Sequence, residues 1–120
     1  MKDKMAATMS ADQNDRLDGL FHSLSDRTRR SILERLAEGP AVISELAEPF
    51  QMTFAAVAKH LRVLESADLI TREASGKYRR CTLNAEPLLE ADRWLGDYRR
   101  FWEENLGSLS DWVQQAGLQP

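Results

Sequence analysis

The spacing of apolar residues predicts two helices near the start of the chain. The first begins near Asn14 and carries apolar residues at the i, i+3, i+4 and i+7 positions of one face, namely Leu17, Leu20, Phe21 and Leu24. Ser25 and Asp26 can then cap a second helix with their side-chain oxygens, and Gly39-Pro40 ends it. The apolar face of this second helix consists of Ile32, Leu33 and Leu36. Residues 1–12 lack such a period, so they are predicted to form a mobile arm.

Two more helices follow within a short stretch. A third helix is predicted over residues 43–48, and Thr53 is placed to cap a fourth. The buried stripe of the fourth helix is Val57, Leu61 and Leu64. Residues 50–53 allow only a tight turn between the two helices, and the small side chain of Ala47 lets Val57 approach closely. This packing is typical of a helix-turn-helix, which presents its second helix to the major groove of DNA.

The pattern changes to strands and then returns to a helix. Residues 69–73 and 78–83 are rich in strand-forming residues, and the intervening residues 74–77 contain a Ser-Gly turn signal, so a β-hairpin is predicted. A long helix then runs from just after Asn84 to about Gln115. Its apolar positions step mostly by three and four residues: Leu88, Ala91, Leu95, Tyr98, Trp102, Leu109 and Val113. The predicted fold is therefore mainly α with a small β-hairpin wing, a winged helix-turn-helix forming one domain over residues 13–120.

Composition narrows the class of protein. The chain has 120 residues, which is the size of one domain and too short for a two-domain enzyme. The 42% of its residues that are apolar are enough to fill one core. No apolar run approaches the roughly 20 residues of a membrane span. The first ten residues lack the apolar stretch of a signal peptide. One cysteine, Cys81, cannot form an internal disulfide. We therefore expect a soluble, reduced, cytoplasmic domain.

Charge is distributed unevenly along the chain. The formal net charge is −3, but residues 53–80 contain six basic and three acidic residues. A positive segment in an acidic chain suggests a surface that faces phosphate groups. A face that is merely solvated would explain the same excess, so charge alone does not decide between them.

The candidate DNA contacts lie on the fourth helix and on the hairpin. The side of the helix that faces away from Val57 carries Thr53, Ala55, Ala56, Lys59, His60 and Arg62. Small residues there allow close approach to the groove, and the basic residues offer donors to bases and phosphates. The wing adds Arg72, Lys77, Arg79 and Arg80 for phosphates or the minor groove. A helix-turn-helix followed closely by a basic wing is winged-helix architecture, although His60 could equally be a structural histidine.

A series of ordered motifs then carries a resemblance to a known family. The motifs are LSDRTRRSIL from residue 24, SELA from residue 44, VAKHLRVLE from residue 57, ADLI from residue 67 and GKYRR from residue 76. Over residues 17–83 the chain resembles the ArsR-type winged helix-turn-helix repressors of bacteria and archaea. The long last helix resembles one subgroup of that family that lacks an obvious metal site.

The resemblance implies a homodimer that binds a pseudo-palindromic operator near its own promoter and represses transcription. It assigns base contacts to Thr53, Ala56, Lys59 and His60, and wing contacts to Lys77, Arg79 and Arg80. The chain departs from the family at Ala58, where Ser is commonest, and at Phe54-Ala55, where a polar residue and Pro or Ser are common. The pattern of base contacts therefore need not follow that of the family.

The inducer is left open by the sequence. Val42-Ile43-Ser44 stands where metal-responsive members have a Cys-x-Cys pair, and the last helix contains no histidine, so neither a metal site nor a cofactor is predicted. An unknown small-molecule inducer, bound in a pocket between aromatic residues, is an alternative that stays open. Cys81 could be a redox switch if Arg80 favours its thiolate, but a small buried hydrophobe is the simpler interpretation.

The last helix has more aromatic surface than one face can bury within a monomer. We expect a dimer interface between this helix and the first, built from Leu17, Phe21, Trp94, Tyr98, Phe101 and Trp102. An enzyme is not predicted, because the chain has no glycine-rich phosphate loop and no catalytic pairing of Ser, His, Asp or Cys. The alternative is a winged-helix module that binds protein, although such a module would not need the basic residues of the fourth helix and wing.

Overall fold

The computed structural model describes residues 9–117, without the side chains of residues 106–110. Within this range the elements are α1 (Ala11–Leu24), α2 (Arg27–Ala37), β1 (Ala41–Val42), α3 (Ile43–Ala47), a 3₁₀ turn (Glu48–Phe50), α4 (Phe54–Ser66), β2 (Ile70–Ser75), β3 (Tyr78–Leu83) and α5 (Glu86–Gln115). The predicted fold class, mainly helical with a small β wing, is confirmed. No helix among the described residues is long and apolar enough to cross a membrane.

Helix α1 begins at Ala11, three residues before the position predicted from the apolar period. The helix begins earlier because the polar residues Ser10 and Gln13 form a capping box at its start. The Ser10 hydroxyl accepts the Gln13 backbone N–H at 3.1 Å, and the Gln13 side-chain oxygen accepts the Ser10 N–H at 2.8 Å. The rest of the predicted arm, residues 1–8, lies outside the described residues.

The core is formed by the apolar faces that the period predicts. Its fully buried members include Leu20, Ile32, Leu46, Val57, Leu61 and Leu64, joined by Leu69, Ile70 and Cys81 from the wing. Burial of each large aliphatic side chain contributes roughly 1.5–3 kcal/mol, so these residues dominate the stabilisation of the helix-turn-helix. Phe21 is the exception on α1, because it keeps 38% of its surface exposed.

The two wing strands, β2 and β3, belong to a three-stranded antiparallel sheet with the order β1-β3-β2, in which β3 is central. Strand β1 was not predicted, since two residues are too few to show an alternating pattern; it places Ala41 opposite Cys81. The hairpin turn is also tighter than predicted. Ser75 pairs with Tyr78, so only Gly76 and Lys77 form the turn, and Gly76 takes a left-handed backbone with φ 63°.

The described chain divides into two compact units, one ending at Leu88 and the other beginning at Leu89. The first contains the helix-turn-helix and the wing. The second is the remainder of α5, whose end at Gln115 agrees with the prediction. Within this second unit an Arg99 nitrogen lies 2.8 Å from a carboxylate oxygen of Asp92, and the rings of Trp94 and Tyr98 are 5.1 Å apart. The prediction for the Leu109 side chain falls outside the described side chains.

Candidate nucleic-acid interface

The turn between α3 and α4 is fixed by two local features. Gln51 adopts a left-handed backbone with φ 52°, which reverses the chain after the 3₁₀ turn. Thr53 then caps α4, because its hydroxyl oxygen accepts the Ala56 backbone N–H at 3.1 Å. Val57 is completely buried and α3 contacts α4, as the predicted close crossing requires. The helix-turn-helix inferred from the spacing is therefore present.

The outward side of α4 is exposed near its start. Thr53, Phe54, Ala55, Lys59 and Arg62 are exposed, whereas Ala56 is half-buried. Four of the five residues predicted for the recognition helix, Thr53, Ala56, Lys59 and Arg62, thus lie on the accessible part of its surface. This face offers a hydroxyl, two cationic side chains and small apolar groups, which together suit the edges of base pairs and flanking phosphates.

The fifth predicted residue, His60, lies differently. Its side chain is only 21% exposed and faces α2, with Nδ1 3.8 Å from a carboxylate oxygen of Asp26 and 3.4 Å from the guanidinium of Arg29. Asp26 is the cap of α2 and accepts the Arg29 backbone N–H at 3.0 Å. That hydrogen bond, together with the charges of His60 and Arg29, holds the pKa of Asp26 below its usual value, against the opposing effect of burial.

Arg29 has a structural role that the sequence pattern did not predict. Its Nε donates to the carbonyl of Ser23 at 2.7 Å and its Nη2 to the carbonyl of His22 at 3.1 Å, which satisfies the open end of α1. Its Nη1 approaches His60. Arg29 therefore joins the end of α1, the start of α2 and the middle of α4. The only local signal is its place in the LSDRTRRSIL motif.

The tip of the wing is exposed. Every residue from Glu73 to Arg80 is exposed, including the predicted contacts Lys77, Arg79 and Arg80. In the hairpin register Arg80 stands opposite Glu73, and Arg79 stands opposite Ala74. Adjacent residues of a strand point to opposite faces, so the two arginines extend from the two faces of the wing.

Arg72 does not join this exposed group. Its side chain is 13% exposed and lies 3.3 Å from the carboxylate of Glu65, near the end of α4. Its Nε is buried without a hydrogen-bond partner in the described part of the chain. Arg72 thus connects the wing to α4.

Cys81 is completely buried on β3, in agreement with its interpretation as a small core residue. Burial raises the pKa of its thiol, and the nearby Arg72 only partly opposes this effect. A raised pKa keeps the thiol protonated at neutral pH, which is the reverse of an activated thiolate. Among the described residues no group of three or more His, Cys, Asp or Glu side chains is placed to hold a metal ion.

The residues predicted for a dimer interface differ in exposure. Leu17 on α1 is 7% exposed and belongs to the core, whereas Phe21 is 38% exposed. On α5, Trp94 and Tyr98 are half-buried and pack on each other. Phe101 and Trp102 expose 62% and 59% of their surface. Trp112, which lies further along α5, is 58% exposed.

Comparison with known proteins agrees with this geometry. Residues 24–73 match the model of a helix-turn-helix domain. The HTH-type transcriptional regulator Rv2034 of Mycobacterium tuberculosis is 34% identical over 100 residues, covering 83% of this chain and 91% of that protein. The transcriptional repressor SdpR of Bacillus subtilis is 29% identical over 79 residues, covering 66% of this chain and 88% of SdpR.

Solved structures give the same result. The crystal structure of an ArsR family transcriptional regulator is 39% identical, covers 75% of this chain and 93% of its own, and superimposes with a TM-score of 0.70. A homodimeric winged helix-turn-helix DNA-binding domain from Mycobacterium bovis has a TM-score of 0.61, covering 78% of this chain and 88% of its own. At 20% identity that second likeness concerns the fold alone.

Proposed function

The chain belongs to the ArsR family of helix-turn-helix transcriptional regulators, and we propose that it represses transcription by binding a pseudo-palindromic operator as a homodimer. As a member of this family it is a DNA-binding transcriptional regulator. The observation that carries the finer proposal is the joint exposure of basic residues on α4 and on the wing, within one compact unit. We also propose that it acts in the cytoplasm and that it has no enzymatic role.

Base contacts are assigned to the exposed start of α4. A recognition helix enters the major groove with its N-terminal residues against the base edges. The Thr53 hydroxyl oxygen already accepts the Ala56 N–H, but its proton remains available to donate to a base. Lys59 is exposed six residues after Thr53 and can donate to guanine O6 and N7, while the methyl group of Ala56 allows close approach. His60 can reach DNA only through the edge of its ring that does not face Arg29.

Phosphate contacts are assigned to Arg62 on α4 and to Lys77, Arg79 and Arg80 on the wing. All four are exposed, and a winged helix places such residues beside the recognition helix, where they can flank the groove. Arg72 is engaged with Glu65, so its part is proposed to be indirect: it holds the wing on α4.

Homodimerisation is supported by the aromatic residues of α5. Phe101 and Trp102 each expose more than half of their surface, and contiguous exposed aromatic residues mark interaction sites. The similar winged helix-turn-helix domain of Mycobacterium bovis is homodimeric, and we extend that state to this chain as part of the proposal. Two copies would present two α4 helices to half-sites about 34 Å apart, one turn of DNA.

Fluorescence anisotropy tests the proposal. The protein is titrated onto a labelled fragment from upstream of its own gene and onto a scrambled duplex, over a series of salt concentrations. A regulator that contacts several phosphates should lose orders of magnitude in affinity between about 50 and 200 mM salt while preferring its site by at least ~10³-fold. A steep salt dependence without preference for the upstream fragment would mean that the operator lies outside that fragment. Absence of binding at low salt would favour a protein-binding winged helix instead.

A further inference from the structure

We propose that Phe54 is a specificity-determining residue whose ring contacts the 5-methyl group of a thymine in each half-site. Phe54 is the first residue of α4 and directly follows the cap residue Thr53. Its side chain is 57% exposed, although phenylalanine has no polar group that would favour exposure. The inference rests on the proposed function, since it concerns what α4 contacts within its operator.

The position of Phe54 directs it to DNA and not to a protein surface. The N-terminal residues of a recognition helix are those that reach base edges in the major groove. The exposed residues that follow on α4 include the cations Lys59 and Arg62, and residues 53–80 carry a formal charge of +3. A cationic surround suits the phosphates on both sides of a groove, whereas it would oppose contact with a second copy of the same basic surface.

The chemistry of the first turn of α4 then selects the base. The ring of Phe54 can neither donate nor accept a conventional hydrogen bond, and the neighbouring side chains of Ala55 and Ala56 present only methyl groups. In the major groove, thymine is the base that presents a methyl group to such a surface, while the other bases present polar atoms there. Placing the ring against those polar atoms would remove them from water without a partner. The first turn of α4 therefore favours thymine through apolar contact, and Lys59 supplies the polar contact one turn later.

The test removes the methyl group and nothing else. The wild-type protein first selects its preferred duplex from a random-sequence library. That duplex is then synthesised with thymine or with deoxyuridine, and Kd is measured for wild type, Phe54→Ala and Phe54→Leu at one salt concentration. Loss of one buried methyl contact corresponds to about a 4-fold weakening. We expect wild type to bind the deoxyuridine duplex at least about 4-fold more weakly for each contacted methyl group, Phe54→Ala to bind both duplexes equally, and Phe54→Leu to retain part of the difference.

Tyr78→Ala is the matched control, because Tyr78 is the other strongly exposed aromatic residue of this unit, 62% exposed at the wing tip. The Tyr78→Ala variant should keep the wild-type ratio of Kd between the deoxyuridine duplex and the thymine duplex. A wild-type ratio in Phe54→Ala would overturn the thymine contact and leave the regulator proposal intact. Equal weakening of Phe54→Ala on selected and random duplexes would also overturn it, since the ring would then contact the backbone. Failure of wild type to select any sequence would overturn both proposals.

Discussion

Nδ1 of His60 on α4 lies 3.4 Å from a guanidinium nitrogen of Arg29 on α2. A guanidinium only donates, so in a hydrogen bond between these two atoms Nδ1 is the acceptor. The same arginine donates to the carbonyls of Ser23 and His22 at the end of α1. The recognition helix α4 is thus connected to α1 and α2 through a single guanidinium.

Two substitutions of His60 separate its two ring nitrogens. Asparagine places a polar atom near the position of Nδ1, and glutamine places one near Nε2. If His60 acts by accepting from Arg29, His60→Asn should keep the wild-type free energy of unfolding, and His60→Gln should lose about 1 kcal/mol. Urea unfolding measures this difference. If Nε2 instead contacts a base, operator affinity should survive in His60→Gln and fall in His60→Asn, as anisotropy would report.

The lowered pKa of Asp26 predicts that the free energy of unfolding depends on pH. The Arg29 backbone N–H holds the pKa of Asp26 below its usual value, so the folded state favours the charged carboxylate. Its contribution is therefore complete at neutral pH and is lost as the pH falls through the lowered pKa. Asp26→Asn, which keeps an oxygen that can cap the helix, should be less stable than wild type at pH 7, and the difference should vanish in acid. Asp26→Ala should lose about 0.5–2 kcal/mol at pH 7.

Urea unfolding at several pH values checks this prediction. A constant difference between wild type and Asp26→Asn at every pH would show that the charge of Asp26 has no part in the stability of α2.

Helices α1, α2 and α4 could be predicted from the sequence because each buries a periodic apolar face; on α4, Val57, Leu61 and Leu64 are all buried. Strand β1 could not be predicted, since its two residues have no pattern of their own and form a strand only by pairing with β3. The basic residues Lys59 and Arg62 of α4 and those of the wing tip are exposed, and their contacts with DNA stay predictions. The contact between Arg29 and His60 spans 31 positions, and no local period reveals such a pair.

Lys59 is expected to contact a base. Its side chain is exposed on the outward face of α4, six residues after the cap residue Thr53. Lys59→Ala should weaken operator binding by about 1–3 kcal/mol and leave binding to random DNA nearly unchanged. Anisotropy on both duplexes measures the two losses. Equal losses on operator and random DNA would assign Lys59 to a phosphate instead.

Arg79 and Arg72 are expected to act differently although both belong to the wing. Arg79 is exposed at the tip, so Arg79→Ala should weaken binding to all sequences and reduce the salt slope by about 1. Arg72 is mostly buried beside Glu65, so Arg72→Ala should lower stability and leave the slope unchanged. Affinity over a salt series and urea unfolding measure the two effects. An unchanged slope in Arg79→Ala would remove it from the phosphate contacts, and a reduced slope in Arg72→Ala would add Arg72 to them.

Trp102 is expected to anchor a dimer. It exposes 59% of its surface on α5, next to Phe101, and buried aromatic anchors dominate protein interfaces. Wild type should sediment as a dimer at micromolar concentration, and Trp102→Ala should dissociate about 30-fold or more readily, the effect of losing one such anchor. Glu103→Ala, at the neighbouring exposed position, is the control and should leave the dimer intact.

Because two linked α4 helices bind a two-part operator more tightly than one, Trp102→Ala should also lose operator affinity without any change at the DNA-facing residues. A wild-type protein that sediments as a monomer at this concentration would contradict the aromatic interface on α5.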